Sequence, residues 1–513
     1  MNSQKLGGRI KEYPWYTLLF AVYPTVTLLA RNLGEVEASA AYRALWVSGL
    51  VSVTLVLLFH ALYRDLSKAG VFTVLFLFGF FFYGHFFGYV RGLEVNGLII
   101  GRHTYFMIIW LGVFLLLAWG IQKASKGISI LSSFLSVMAV ALLVLPALQI
   151  ASHRYRAWQT SRQVSPPEIS LPTQSNESYP DIYFIILDMY GRRDVLFDEF
   201  AHDDSMFLQE LQDMGFYVAE CSQSNYPSTA FSLSSALNIN YLTDIDDVVA
   251  SQSKNSTVLW HLIQNNAVEQ TLKGLGYKTV AFETGYRWTE LQDADHYYRL
   301  RSSGITDFEN LLLRNSFTAV FFELGLLDEY RLTADRRKHD LSIHVLDELE
   351  KIPSIAGPKF VFAHLTIPHP PFVIGPNGDL EIVPPHYEGS ESYYIEDEYK
   401  TGYINQVKYL NSRMPQVLDA ILANSQQPPI IILQGDHGPR FVEMEKQLDI
   451  LNAYYFPEPQ PELHSFLSPV NNFRIIFNTY FGTSLPPLPD RSYSVGFETP
   501  YDFKEISNDC PTD

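Results

Sequence analysis

The sequence predicts a bundle of membrane-crossing helices followed by an α/β domain, its mostly parallel sheet covered by helices on both faces. Three observations carry this. Before about residue 150 the chain repeats runs of roughly 17 to 22 apolar residues, the length that spans a hydrocarbon core of about 30 Å at about 1.5 Å per residue. Residues 151–180 then change character abruptly, from apolar to polar and Pro/Ser-rich. Beyond them, short apolar runs rich in β-branched and aromatic residues alternate with stretches of helical periodicity, the pattern of a buried parallel sheet.

The apolar runs number five: Tyr16 to Ala30, kinked or shortened at Pro24; Ala44 to Tyr63; Gly70 to Val90; Tyr105 to Ile121; and Ile128 to Leu148. They make residues 1–150 a five-helix transmembrane domain. The first run is followed by no small-residue cleavage site and by four more spans, so it reads as a retained helix. Lys5, Arg9 and Lys11 before the first span, with Lys123 and Lys126 between the fourth and fifth, favour a cytoplasmic N-terminus, although the count over all loops is nearly even. An odd number of spans then puts everything after residue 150 outside the cytoplasm. His60 and His85 fall within spans, where an ionisable side chain is a functional candidate and a neutral packed imidazole the plainer reading. Residues 151–180 read as a juxtamembrane helix and linker, and 181–513 as the extracytoplasmic domain.

Composition narrows the partners. Hydrophobic residues make up 47% and charged residues only 18%, which suits a chain partly in lipid, and a net charge of −18 excludes a polyphosphate partner such as nucleic acid. The two cysteines, Cys221 and Cys510, are far apart and form no CxxC pair, so they read as ordinary thiols.

Buried strands are predicted at 181–187 (DIYFIIL), 278–282 (KTVAF), 359–365 (KFVFAHL), 430–433 (IIIL) and 473–477 (FRIIF), with helices over Phe207 to Met214 and Tyr399 to Leu422. Ligands of open α/β sheets bind beyond the carboxyl ends of the strands, so the residues that follow each run matter most. They are Asp188, Glu283, His364 with His369, and Asp436 with His437. One Asp after a strand is usually a cap or turn residue. Several carboxylates and imidazoles delivered to one edge can assemble a metal site. In GDHG, Gly435 and Gly438 leave the backbone room to turn tightly around the Asp-His pair.

Residues 221–238 (CSQSNYPSTAFSLSSALN) supply a nucleophile: an Asn-Tyr-Pro turn puts Ser228 and Thr229 at or near a helix N-terminus, which favours an anion. Either hydroxyl could simply cap that helix. A divalent metal would activate the alcohol, otherwise a poor nucleophile. Arg440 either contacts a phosphate or faces solvent.

These motifs resemble the alkaline phosphatase superfamily, specifically its membrane-anchored transferases, the lipoteichoic acid synthases and lipid A phosphoethanolamine transferases. Those proteins carry five transmembrane helices ahead of a sulfatase-like domain, so the resemblance covers nearly the whole chain. It implies that Asp188, Thr229, Asp436 and His437 bind one divalent metal, Zn or Mn, with Thr229 (in STAFSL) as the nucleophile. His369, in HLTIPH, looks like the substrate-side or second-metal His and a proton donor, with His364 beside it. Ser228, Asn225 and Arg440 join His364 as candidate substrate contacts. A second metal lacks a clear ligand, because no His follows GDHG at the expected distance and His464 lies far downstream. The transferases' flanking cysteines are missing. Aligning Pro227 on the sulfatase CxPxR motif puts Asn225 where formylglycine would form, which argues against sulfate ester hydrolysis and leaves Ser228 and Ser224 as alternative nucleophiles.

The implied activity is transfer of a phosphoethanolamine or phosphoglycerol head group from a phospholipid to an envelope glycan or lipid through a phospho-threonine, at the bacterial inner membrane with a periplasmic catalytic domain. The alternatives are a phosphodiesterase or phosphatase-type hydrolase of the same fold, and a catalytically silent assembly protein.

Overall fold

The computed structural model describes residues 14–33, 36, 38–91, 93–95, 98–99, 101–123, 127–163, 166–171, 179–245, 256–300, 305–383, 386–388, 391–496 and 501–510. Lys5, Arg9, Lys11 and Lys126 of the orientation argument, and residues 164–165 and 172–178 of the predicted juxtamembrane helix and linker, lie outside them. Two compact units make up the chain: Met1–Arg156 with Ser303–Ala334 and Tyr387–Tyr393, and Ala157–Ser302 with Asp335–His386 and Tyr394–Asp513.

In the first unit every predicted apolar run is helical: α1 (Tyr16–Arg31), α2 (Tyr42–Tyr63), α3 (Leu66–Phe81), α4 (Tyr83–Val90), α5 (His103–Lys123) and α6 (Ile128–Gln163). The expectation of five spans is not confirmed. Among the described residues three helices are long and apolar enough to cross a membrane, or four if α3 and α4, bent by 45° at their junction, count as one. The helix α1 runs through Pro24 but has only 16 residues, about 24 Å at the helical rise and short of a hydrocarbon core. The helix α6 overshoots its apolar run and continues as one helix to Gln163. Helices Asp307–Arg314 and Thr318–Glu323 pack against this bundle: Phe308 joins Leu29, Ala41 and Ala44, and Val320 joins Tyr83, Phe87 and Trp110. The carboxylate of Glu309 receives Arg43 from α2 and the backbone N–H of Thr306 in a capping box.

In the second unit a seven-stranded sheet is built from β1 (Ile182–Leu187), β2 (Tyr217–Val218), β3 (Lys278–Phe282), β4 (His296–Tyr298), β5 (Lys359–Leu365), β6 (Ile430–Gly435) and β7 (Asn452–Tyr455), in the order β2-β7-β6-β1-β5-β3-β4. The run β6-β1-β5-β3-β4 is parallel, and β7 and β2 are antiparallel. Side chains alternate between two covered faces. Tyr183, Ile185 and Leu187 join the core on one face with Leu433, Val407 and Leu346; Ile182, Phe184 and Ile186 join the other with Ile432, Leu233 and Phe473. Both faces being buried explains why the central strands read as continuous apolar runs.

Two readings fail here. FRIIF is not a strand but lies in the helix Asn472–Phe481, where Phe473, Ile476, Phe477 and Phe481 bury one helical stripe. Nor are the cysteines separate thiols: Cys221 and Cys510, 289 residues apart in sequence, form a disulfide with Cα atoms 5.5 Å apart.

Candidate metal centre

The sheet's geometry delivers the site. The parallel register sets Ile186 of β1 beside His364 of β5 and beside Gln434 of β6. Asp188 and Asp436 therefore leave neighbouring strands at one carboxyl edge, and His364 approaches from the strand on the far side of Asp188. Ligand atoms of Asp188, His364 and Asp436, all buried, lie within 4.8 Å of one another. His364 Nε2 is 3.4 Å from Asp188 Oδ2. His437 Nε2 stands 3.7 Å from Asp188 Oδ1 and 3.8 Å from Asp436 Oδ2.

The backbone around these groups is committed to holding them. Met189, immediately after Asp188, adopts φ 71°, the left-handed region that costs a non-glycine residue about 1–2 kcal/mol. In that conformation its N–H donates to Asp436 Oδ1 at 3.0 Å, as does the N–H of His437. Asp188 N–H donates to Leu365 O at 3.0 Å, tying the turn to β5. His437 Nδ1 faces the Gly438 carbonyl at 2.9 Å, an acceptor that calls for a proton on Nδ1, and the ring thereby turns Nε2 toward the carboxylates.

Thr229 completes the cluster. It is the first residue of the helix Thr229–Leu237, whose N-cap, Ser228, makes no side-chain capping bond. Thr229 Oγ1 lies 3.4 Å from His437 Nε2. The plain capping role open to Ser228 is thus not used, and the free N–H groups of the helix end accompany the Thr229 hydroxyl.

Charge is concentrated and poorly satisfied. Asp188 Oδ1, Asp436 Oδ2 and both ring nitrogens of His364 are buried without hydrogen-bond partners. Two carboxylates and the His364 imidazole with orphaned atoms, and the His437 imidazole beside them, are a donor set that fits a divalent cation such as Zn or Mn. Burial pushes the Asp188 carboxyl up, but His369, His364 and His437 outweigh it and hold it below the usual carboxylate range. Asp436 is pushed up, first by burial and then by the charge on Asp188. Burial pushes His369 down to about 4, Lys338 adding to the effect and Asp188 opposing it, and its Nδ1 faces Pro370 O at 2.5 Å.

Other predicted residues are spent on structure. Asn225 donates to Ser468 Oγ and Arg491 O and accepts from Val470 N, so its amide is no free substrate contact. Ser224 bonds the carbonyls of Tyr226 and Asp436, which removes it as a nucleophile. Glu283 pairs with Arg337 and caps Leu300 N–H. Arg440 is exposed at the surface after GDHG, its N–H donating to Tyr399 Oη.

No family model matches the chain, and no curated protein does. Among solved structures it is similar to the C-terminal periplasmic domain of EcEptC from Escherichia coli in complex with Zn, at 13% identity and a TM-score of 0.38, covering 62% of this chain and 86% of that one. The corresponding domain of the phosphoethanolamine transferase EptC from Campylobacter jejuni matches at 13% and 0.38, over 61% and 94%. The integral membrane lipooligosaccharide phosphoethanolamine transferase A from Neisseria meningitidis matches at 12% and 0.35, over 86% and 88%. These proteins bear the names of the branch that the motifs resemble. At such distances the likeness carries no chemistry, which rests on this chain's own residues.

The sequence reading places His364 on the substrate side, whereas here its ring belongs to the ligand cluster. The signal was present: one imidazole inside an otherwise apolar strand, in a sheet whose both faces are buried.

Proposed function

We propose that the protein is a membrane-anchored, metal-dependent transferase that moves a phospho-head group, of phosphoethanolamine or phosphoglycerol type, from a phospholipid to an envelope glycan or lipid. The observation that carries this reading is the meeting of Thr229, at a helix N-terminus, with a buried Asp188-His364-Asp436-His437 cluster in which one oxygen of each carboxylate and both His364 nitrogens lack a hydrogen bond. Asp188, Asp436 and His437, with Thr229 and His364, would hold the metal, Zn or Mn. A divalent cation there lowers the pKa of an adjacent hydroxyl and offsets charge developing at phosphorus.

Thr229 Oγ1 attacks the phosphorus and releases its proton to solvent. The new O–P bond forms as the bond from phosphorus to the diacylglycerol oxygen breaks. His369 passes a proton to that leaving oxygen, its affinity for the proton rising once an anionic phosphodiester sits beside it. The helix N–H groups hold the phosphoryl oxygens. In the second half an acceptor hydroxyl attacks the phosphorus and gives its proton to His369, the bond from phosphorus to Thr229 Oγ1 breaks, and Thr229 takes a proton back from solvent. The Cys221–Cys510 disulfide supports an oxidising compartment, as expected of a periplasmic domain on the bacterial inner membrane.

The test is incubation of the detergent-solubilised protein with head-group-labelled phospholipid and an envelope lipid fraction. Label on the acceptor together with free diacylglycerol is expected, and its loss in Thr229→Ala. Free head group without acceptor labelling would sink the transferase and leave the hydrolase.

A further inference from the structure

We propose that the first unit binds the phosphate of an anionic phospholipid in a basic cavity at one end of its helical bundle. The cavity, about 540 Å³, lies where α4 ends and α5 begins, and the helices Asp307–Arg314 and Thr318–Glu323 close its other side. Gly84 makes that closure possible: a Cβ there would meet the Asn315 carbonyl oxygen at 2.6 Å, and the Gly84 N–H instead donates to it at 3.2 Å.

Three arginines line the cavity, Arg91, Arg102 and Arg314, against one carboxylate, Glu323, in a chain whose net charge is −18. Glu323 Oε2 lies 3.6 Å from His103 Nε2, and the arginines outnumber the cavity's carboxylates three to one. Arg314 is positioned from within the unit, donating to Asn310 Oδ1 at 3.2 Å and lying over the Phe322 ring at 5.4 Å. Arg91 and Arg102 are exposed, and neither guanidinium makes a hydrogen bond or ion pair among the described residues. Two exposed guanidinium groups with no hydrogen-bond or ion-pair partner among the described residues, beside a third arginine, suit an anion, and guanidinium groups match phosphate oxygens in pairs.

The level of the cavity selects the source of the phosphate. Exposed rings of Tyr42 and Trp46 on α2, Tyr89 on α4 and Tyr105 on α5 stand within the first or last turns at this same end. Farther along the helices exposed aliphatic residues take over, as at Leu57, Leu58, Leu115 and Leu116. Aromatic rings followed by aliphatic residues mark the lipid head-group layer. Phe87 and Phe322 in the cavity wall give the glycerol end of a lipid an apolar edge to lie against. Lipid binding here stands whether or not the metal centre transfers a head group.

Native mass spectrometry of the full-length, delipidated protein in detergent tests this. Phosphatidylglycerol should be retained in preference to phosphatidylcholine. The double variant Arg91→Gln/Arg102→Gln should bind it about thirty-fold more weakly, at about five-fold per basic residue. The variant Arg91→Lys/Arg102→Lys, which keeps the charge but not the paired donors, should bind more tightly than the Gln variant and more weakly than wild type, separating recognition from misfolding. Equal retention of the two lipids, unchanged retention in the Gln variant, or full displacement by millimolar inorganic phosphate would overturn the assignment, the last by pointing to a free anion.

Discussion

Gly435→Ala probes how the sheet edge holds its ligands. A methyl group at residue 435 would lie 2.3 Å from the Tyr190 carbonyl oxygen and 3.1 Å from its carbon, backbone atoms that no rotamer change can move aside. Tyr190 O accepts from Leu451 N at 3.2 Å, and Gly435 N donates to Leu451 O at 2.9 Å, so β6, the turn after β1 and the approach to β7 must shift together. Overpacking a close-packed interior costs about 1–3 kcal/mol. The clash sits one residue from Asp436 and two from Asp188, and misplaced ligand supports lower metal affinity by about 10–100-fold. Zinc titration of chelator-stripped protein by calorimetry, with a denaturant midpoint for each variant, measures both. Gly274→Ala is the control, because a Cβ there meets nothing within 4 Å. Gly435→Ala with wild-type zinc affinity and an unchanged midpoint would refute the claim that this close approach fixes the two carboxylates.

Two further outcomes follow from the second unit. Replacing both Cys221 and Cys510 by Ser should destabilise it by about 2–5 kcal/mol, read as a lowered denaturant midpoint that reductant no longer affects; a midpoint equal to oxidised wild type would count against the disulfide. Asp204 is buried with neither carboxylate oxygen hydrogen-bonded, and burial pushes it up to about 6 from 3.8. The folded state then keeps a proton that the unfolded state releases, so this group's contribution falls as pH rises from about 4 to 6. Relative to wild type, Asp204→Asn should gain about 3 kcal/mol of stability between pH 4 and pH 7; a gap independent of pH would exclude that assignment.

The central strands were legible because burial on both faces writes itself as an unbroken β-branched run. β3 and β5 match their predicted bounds, β1 begins one residue later at Ile182, and β6 carries on from Leu433 to Gly435. FRIIF misled because a five-residue apolar window looks the same in a buried strand and a buried helix; only Phe481, four residues past Phe477, reveals the helical stripe. Asp188, Asp436 and His437 could be named, with Glu283, His364 and His369, because they end or follow strands at the edge where parallel sheets present ligands, whereas only the family resemblance set Thr229 apart from Ser228. What sequence spacing could not carry was contact across long separations. The Cys221–Cys510 pairing is of that kind, and so is the packing of Phe308 and Val320 against the apolar bundle, although the apolar face of 307–314 was visible as Phe308, Leu311 and Leu312. The five-span count was not confirmed at α1, where the helix is as short as its apolar run: both begin at Tyr16, and they end at Arg31 and Ala30.

The central claim is that Thr229 carries the head group between donor and acceptor. Peptide-resolved mass analysis of the protein purified with its lipids, without acceptor, tests it most directly. The account predicts a phospho-head-group mass increment on the peptide containing Thr229, absent from Thr229→Ala and from metal-stripped protein. An increment on a different residue, or none after incubation with donor phospholipid and zinc or manganese, would contradict it.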